Sequence, residues 1–218
     1  MSKKKRVGIL ISGRGSNMAA LVDAAKEQNY PAEIAVVISN RADAKGLDHA
    51  RANGIATAVV DHKAHASRDA FDLALDRALS EHQVEFVACA GFMRIMTEGF
   101  VERWRDRMIN IHPSLLPSYK GLHTHERALA DGVKIHGCTV HFTRHDVDSG
   151  PIIMQAAVPV IAGDTPDSLA ARVLKAEHII YPKALRLVAA GNVRVKGETV
   201  ISSVPEQDQK PFVVPSEG

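Results

Sequence analysis

The sequence lacks the features expected of a membrane protein or of a protein from an oxidising compartment. None of its apolar runs is long enough to cross a bilayer, and no segment resembles a signal peptide. Only two cysteines occur, Cys89 and Cys138, far apart and in strand-like segments. We therefore expect both to be buried, reduced thiols of a cytosolic protein, and no cysteine spacing suggests a zinc site.

The sequence also lacks a strong charge of either sign. Its 27 Lys and Arg residues nearly balance 25 Asp and Glu residues, and the one basic cluster, residues 3–6, leads into the first apolar strand. A balanced charge gives no long-range attraction to nucleic acid or to an anionic membrane. We therefore expect neither as a partner.

Short apolar runs alternate with helical periodicity through the first half of the chain. Four runs have the length of buried strands: residues 7–11, 34–38, 55–60 and 86–90. The stretches between them have the periodicity of helices. This alternation predicts an α/β fold, with a doubly wound, mostly parallel sheet in a single domain.

The second half continues the pattern and ends differently. Further strands are predicted at residues 108–111, 137–143 and 152–160. A long helix is predicted from Thr165, with an internal break or kink at Tyr181 and Pro182. We expect a catalytic domain over residues 1–191, and a short terminal hairpin and loose tail over residues 192–218.

The first strand runs into a glycine-rich turn, residues 12–17, and then into a helix. This arrangement points backbone N–H groups and a helix N-terminus at an anion. A dinucleotide is disfavoured, because Met18 stands where its fingerprint needs a small residue and the second strand ends without a carboxylate. We predict that Gly15, Ser16 and Asn17 hold a single phosphate. The alternative is a tight turn with Ser16 as the helix N-cap.

Catalytic chemistry is predicted where the 108–111 strand ends. Asn110 and His112 are two residues apart, so their side chains leave the same face, and Pro113 then stops the strand. An amide can stabilise an oxyanion and an imidazole can move a proton. Asp148, before a Ser-Gly-Pro turn, could orient His112 or anchor a water. The alternatives are an Asn and a His that satisfy each other or a turn, and ordinary turn chemistry for Asp148.

Parallel strands joined by right-handed crossovers bring their carboxyl ends to one edge of the sheet. We therefore expect the 12–17 loop, the apolar 91–96 loop and the Asn110–His112 pair to meet there. The 91–96 loop could line a flat aromatic pocket with its backbone, or it could fill the core. Several histidines invite a metal hypothesis: His123, His125, His136, His141 and His145. No carboxylate or cysteine accompanies them at a recognisable spacing, so we predict loop contacts and no metal.

Five motifs together resemble glycinamide ribonucleotide formyltransferases, the folate-dependent enzymes of purine synthesis. They are Ser12-Gly13-x-Gly15-Ser16-Asn17, Ala90-Gly91-Phe92-Met93-Arg94, Asn110-Ile111-His112-Pro113-Ser114-Leu115-Leu116-Pro117, Gly121-Leu122-His123-Thr124-His125 and Asp148-x-Gly150-Pro151. The resemblance extends over residues 6–197, nearly the whole chain. It implies a Rossmann-like formyltransferase fold.

The resemblance also implies substrates and roles. Gly15, Ser16 and Asn17 would bind the phosphate of glycinamide ribonucleotide, with Glu177 at its ammonium or amide end. The co-substrate 10-formyltetrahydrofolate would be held by Arg68, by the backbone of Met93, Arg94, Ile95 and Met96, and by Asn110. His112 would transfer the proton, Asn110 would stabilise the oxyanion and Asp148 would assist His112 or a water. No metal is implied, and we expect a cytoplasmic monomer or homodimer.

Other protein classes share part of this pattern. Formyltetrahydrofolate deformylase, a hydrolase, usually carries an additional N-terminal domain, whereas the first predicted strand here begins at Val7. Methionyl-tRNA formyltransferase would need a further C-terminal RNA-binding domain. A non-catalytic nucleotide-binding module would explain the sheet and the phosphate loop, but it gives no role to Asn110, His112 and Asp148 together. The deformylase and the binding module remain the alternatives.

Overall fold

A seven-stranded sheet forms the centre of the computed structural model, which describes residues 3–205 and 212–214. The strands are β1 Lys5–Ile11, β2 Ala32–Ser39, β3 Ala56–Val59, β4 Phe86–Cys89, β5 Met108–His112, β6 Ile135–Phe142 and β7 Ile152–Pro159. Their order across the sheet is β3-β2-β1-β4-β5-β6-β7. Strands β1 to β5 pair in parallel, while β6 and β7 are antiparallel to their neighbours. The predicted α/β fold with a mostly parallel sheet is confirmed.

Six α-helices connect the strands or cover the sheet in the described residues. They are α1 Ser16–Ala25, α2 Lys45–Ala52, α3 Arg68–Glu81, α4 Glu98–Arg103, α5 Thr124–Ala130 and α6 Pro166–Ala189, with a 3-10 turn at His62–Ala64. None of the helices in these residues has the length and apolarity needed to cross a membrane. A small hairpin follows, made of β8 Val193–Lys196 and β9 Thr199–Ser202. Most of the predicted loose tail lies outside the described residues.

The central strands of the sheet are buried on both faces, which explains their uninterrupted apolar runs. In β1, Ile9 packs into a cluster with residues of α1 and α6, whereas the next residue, Leu10, packs into a second cluster with residues of α3 and α4. Ile9 and Leu10 are both 0% exposed. The rigid central strands therefore hold the loops at their carboxyl ends in fixed relative positions.

Of the predicted break or kink at Tyr181 and Pro182, the break is wrong, because α6 continues through both residues. The kink stays a prediction. A proline in a helix interior removes one hydrogen bond and costs roughly 3 kcal/mol. Tertiary contacts offset this cost. The Tyr181 side chain is fully buried, and its hydroxyl lies 2.8 Å from the carbonyl oxygen of Cys89 and 3.3 Å from that of Ile109, at the centre of the sheet.

Candidate active site

The carboxyl ends of β1, β4 and β5 meet at one edge of the sheet. Leu10 is in register with Cys89, and Cys89 is in register with Asn110. The loops after β1 and β4 also bond to each other, since the Ser12 hydroxyl oxygen accepts a 2.8 Å hydrogen bond from the backbone N–H of Met93. The predicted convergence of these loops with the Asn110–His112 pair is confirmed.

His112 lies at this edge, with only 5% of its surface exposed. Its Nδ1 is 3.2 Å from Oδ2 of Asp148, and its Nε2 is 3.0 Å from the backbone oxygen of Tyr119. The same carboxylate oxygen accepts a 2.9 Å hydrogen bond from the backbone N–H of Gly121. Both ring nitrogens face oxygen atoms, and because the backbone oxygen of Tyr119 can only accept, Nε2 donates to it. The structure therefore brings His112 and Asp148 together as predicted.

Asn110 has a partner that the sequence analysis did not assign to it. Its Nδ2 is 3.3 Å from Nε2 of His141, and Nδ1 of that ring is 2.9 Å from the carbonyl oxygen of Phe142. Because a carbonyl can only accept, Nδ1 carries the proton and Nε2 accepts from Asn110. Burial lowers the pKa of His141, which keeps the ring neutral. His141 therefore fixes the orientation of the Asn110 amide.

The phosphate loop does not use Ser16 as a helix cap, so that alternative is wrong. The N-cap of α1 is Gly15, at φ +74°, and no side chain caps the helix. A Cβ at Gly15 would lie 3.0 Å from the Cα of Gly46, so close backbone packing as well as the positive φ favours glycine here. The first N–H groups of α1 therefore have no side-chain acceptor and can meet an anion.

A cavity of about 520 Å³ opens over this loop. It is lined by residues 12–17 together with Asn40, Arg41, His62, Ala90, Gly91, Met93 and Arg94. The Nε atom of Arg94 is buried, without a hydrogen-bond partner among the described residues. The cavity thus joins the phosphate loop to the loop after β4 and includes an unsatisfied donor of the kind that an anionic ligand would meet.

Asn17 connects the phosphate loop to α6. Its Nδ2 donates a 2.6 Å hydrogen bond to Oε2 of Glu177, which is 6% exposed. Burial raises the pKa of Glu177, and the bond from Asn17 opposes that shift. The Oδ1 atom of Asn17 is buried and has no partner within the described part of the chain. A carboxylate and a free amide oxygen therefore lie beside the predicted phosphate position.

The loop after β4 has apolar side chains of two kinds. Phe92 and Met96 are partly buried against the core, as the core-filler alternative expects. Met93 and Ile95 are 64% and 61% exposed. The core-filler alternative thus applies to part of the loop, and a flat aromatic pocket lined by its backbone stays a prediction.

Helix α3 holds the end of this loop. A carboxylate oxygen of Asp72 accepts hydrogen bonds from the backbone N–H and the hydroxyl of Thr97, at 2.6 and 2.7 Å. The preceding residue of α3, Phe71, stacks on Phe92, with ring centroids 6.4 Å apart. Arg68 begins the same helix and is exposed.

Two of the remaining histidines pack against each other. His125 and His136 meet edge to face, with ring centroids 5.3 Å apart, and burial lowers the pKa of His136 to about 4. His123 is exposed and lies 3.4 Å from a carboxylate oxygen of Glu126. Among residues 3–205 and 212–214, no group of three or more His, Cys, Asp or Glu is arranged to hold a metal ion.

Comparison with known families decides the relationship. The model of the formyl transferase family matches residues 5–185 of this chain. The chain belongs to the formyl transferase family. The predicted membership is thereby confirmed.

Three relatives within the formyl transferase family indicate which type of formyltransferase this chain resembles. Phosphoribosylglycinamide formyltransferase of Escherichia coli is 46% identical over 86% of this chain and 88% of its own length. The structure of glycinamide ribonucleotide transformylase 1 from Symbiobacterium toebii is 46% identical, has a TM-score of 0.90, and matches 93% of this chain and 95% of that one. A human trifunctional purine biosynthetic protein is 52% identical over 94% of this chain, which spans only 20% of that relative. These similarities support a formyltransferase of this type.

A hydrolase also has this fold. A formyltetrahydrofolate deformylase from Pseudomonas syringae superposes with a TM-score of 0.85 at 27% identity, and the match covers 92% of this chain and 66% of the deformylase chain. This identity is lower than that of the three formyltransferase relatives. The sheet alone therefore does not distinguish transfer from hydrolysis.

In this formyl transferase the sequence analysis missed three contacts of the site. They are the His141 acceptor for Asn110, the Tyr119 carbonyl at His112 and the Gly121 N–H at Asp148. A signal existed only for the first, because His141 stands in a strand-like segment. Its pairing opposite Asn110 follows from the antiparallel register of β5 and β6.

Proposed function

We propose that this chain transfers the formyl group of 10-formyltetrahydrofolate to the amine of glycinamide ribonucleotide. The observation that carries the proposal is the 3.2 Å contact between His112 Nδ1 and Asp148 Oδ2. It lies at the sheet edge that also carries Asn110 and the phosphate loop. The names of the Escherichia coli and Symbiobacterium relatives support the same reaction.

In the proposed reaction the amine attacks the formyl carbon, and a tetrahedral intermediate with a negatively charged oxygen forms. Asn110 has one N–H directed to His141, so its second N–H is free to donate to that oxygen. One such donor is often worth about 3 kcal/mol in the transition state. The intermediate collapses when the bond from carbon to the folate nitrogen breaks. His112, assisted by Asp148 or by a water that Asp148 holds, moves the proton from the attacking amine to that nitrogen.

The ribonucleotide would occupy the region of the phosphate loop. Backbone N–H groups at Gly15, Ser16 and Asn17, together with the N-terminus of α1, would bind the phosphate. The buried carboxylate of Glu177 and the unpartnered Oδ1 of Asn17 are acceptors for N–H or O–H groups of the glycinamide riboside. One carboxylate and one amide oxygen, both acceptors, suit an ammonium or amide end.

The folate would lie along the loop after β4. Backbone groups of Met93, Arg94, Ile95 and Met96 would hold the flat pterin, and the exposed apolar side chains of this loop offer it contact area. The guanidinium of Arg68 would pair with a carboxylate of the folate tail. Asn110 would contact the formyl group. The proposed steps require no metal ion.

We also propose that the reaction takes place in the cytoplasm, catalysed by a monomer or a homodimer. Both cysteines are free and buried, and burial raises the pKa of each thiol to about 12. Inert, reduced thiols of this kind suit a reducing compartment.

One assay tests the proposed function. The protein is incubated with 10-formyltetrahydrofolate, with and without glycinamide ribonucleotide, and the release of tetrahydrofolate is followed. We expect release that depends on the ribonucleotide. Release without it would support the deformylase alternative, and no release would support a binding module.

Variants connect this activity to the site. His112→Ala and Asn110→Ala should each lower kcat by at least about 100-fold and change KM much less, because their contacts strengthen in the transition state. His145→Ala, a change of an exposed histidine in the loop that carries Asp148, is the matched control and should keep kcat within about twofold. A near-normal kcat in the His112 or Asn110 variant would count against the proposed roles.

A further inference from the structure

Arg144 stands at the start of the loop that carries Asp148. Only 9% of its side chain is exposed, and its guanidinium meets three acceptors. Nη2 is 2.8 Å from Oδ1 of Asp106, Nε is 3.0 Å from Oε2 of Glu198, and Nη1 is 3.1 Å from the carbonyl oxygen of Thr143. We call Arg144, Asp106 and Glu198 the Arg144 clamp.

The two carboxylates of the Arg144 clamp come from distant parts of the chain. Asp106 lies between α4 and β5, at a positive φ of +56°. Glu198 lies in the turn between β8 and β9. Ion pairs on an exposed surface are worth little, but a largely buried guanidinium is costly to leave unpaired. The clamp therefore ties the loop of Asp148 to the terminal hairpin and to the entry of β5.

The other end of the loop is fixed by backbone packing. A Cβ at Gly150 would lie 1.7 Å from the carbonyl oxygen of Phe142, so only glycine allows the chain to approach so closely. The N–H of Phe142 donates a 2.9 Å hydrogen bond to the carbonyl of Pro151. Between these two ends, Asp148 has a φ of +51°, which a non-glycine residue keeps only when its surroundings hold it there.

We propose that the Arg144 clamp positions Asp148 for catalysis, so that the terminal hairpin is part of the support of the active site. The proposal rests on the proposed function. Arg144, Asp106 and Glu198 would act through Asp148, whose carboxylate must stay within hydrogen-bonding distance of His112 Nδ1. A misplacement of about 1 Å in such a pair can cost about 100-fold in rate.

Kinetics of variants test the clamp. Arg144→Met keeps the apolar stem and removes the guanidinium, and we expect kcat to fall about tenfold with both KM values within about twofold. Glu198→Gln is milder, because that carboxylate is 60% exposed, and we expect a loss of about threefold. Arg105→Gln is the matched control. It removes the other ion pair of Glu198, at 3.0 Å, but leaves the bond to Arg144, so kcat should not change.

Two further measurements separate positioning from a general loss of structure. In an Asp148→Asn background, Arg144→Met should cause no additional loss of kcat, because the clamp then has no carboxylate to position. An additive loss, or a loss that matches a fall in folded fraction measured by circular dichroism, would overturn the proposal.

The second measurement does not depend on activity. In Arg144→Met, the ¹⁵N NMR signals of the His112 ring should shift toward their values in Asp148→Asn. If Arg144→Met does not fold, Glu198→Gln takes its place, and its ring signals should shift in the same direction. Unchanged ring signals in a folded variant would refute the clamp. If Asp148→Asn itself leaves ribonucleotide-dependent formyl transfer intact, the catalytic role of Asp148 fails and the clamp proposal fails with it. If the unaltered protein shows no such transfer, the proposed function fails, while the ring signals still decide whether the clamp positions the carboxylate.

Discussion

Replacing His141 should show how much of the catalytic power of Asn110 depends on orientation. His141→Leu replaces the ring with an apolar side chain of similar size. It therefore removes the acceptor at 3.3 Å from Asn110 Nδ2. The amide can then rotate, and its second N–H no longer points in one direction. His141→Gln is the matched variant, because a glutamine side chain can both donate and accept.

The size of the effect follows from the contacts. A neutral hydrogen bond contributes about 0.5–1.5 kcal/mol, and about 1.4 kcal/mol corresponds to a tenfold change in rate. Complete loss of an oxyanion donor costs about 100- to 1,000-fold in kcat, which sets the upper limit. We therefore expect His141→Leu to lower kcat about 3- to 10-fold, well below that limit. The carbonyl of Phe142 also loses its donor, which should lower the free energy of unfolding by about 1–3 kcal/mol.

Steady-state kinetics with both substrates would measure this prediction. KM for each substrate should stay within about twofold, and His141→Gln should recover most of the lost kcat. Urea unfolding checks that the Leu variant is folded under the assay conditions. A folded His141→Leu variant with kcat within twofold of the original would refute the reasoning, because Asn110 would then be oriented without this ring.

Three further predictions concern binding, pH and packing. Asn17→Ala should raise KM for the ribonucleotide about tenfold and leave KM for the folate unchanged, because it removes a bond to the buried Glu177 and a free acceptor; an equal rise in both KM values would contradict the assignment. The pKa of His136 is about 4 in the folded chain and about 6.5 in an unfolded chain, so the unfolded state binds more protons between these values and stability falls as pH falls. Urea titrations should give a loss of about 2 kcal/mol between pH 7 and pH 5, reduced in His136→Leu, and an equal loss in that variant would refute the argument. Gly150→Ala should lower the free energy of unfolding by about 3 kcal/mol because its Cβ would overlap a carbonyl oxygen. Gly99→Ala, in helix α4 with open space around it, should raise the free energy of unfolding by about 0.4–1 kcal/mol in the same assay.

The fold was predictable because its signals are local. A strand buried on both faces must be apolar throughout, so β1, β2 and β4 are visible as short apolar runs between helical stretches. The meeting of the loops follows from the handedness of the crossovers alone. The break at Pro182 was predicted wrongly for the opposite reason. A local preference against helix was outweighed by burial that depends on residues far away in the sequence.

The site was predictable only where its residues lie on the parallel strands or in a recognisable motif. The pairing of Asn110 with His141 depends on which strand lies beside β5 and in which register, and both depend on the antiparallel turn of β6. The pairing of Arg144 with Glu198 joins two turns that no sequence spacing connects. The N-cap of α1 was uncertain because serine is a common N-cap residue, which favoured Ser16. The N-cap is Gly15, where the close approach of Gly46 leaves no room for a side chain.

The contact of the Tyr119 backbone oxygen with His112 bears on hydrolysis of the formyl donor before the second substrate binds. Nε2 of His112 already contacts that oxygen, and Nδ1 contacts Asp148. Neither ring nitrogen is therefore free to bind a further molecule. We expect the segment of Tyr119 to withdraw when the second substrate arrives. Until then we expect hydrolysis of the donor to be slow, because neither ring nitrogen of His112 is free to accept a proton from a water molecule.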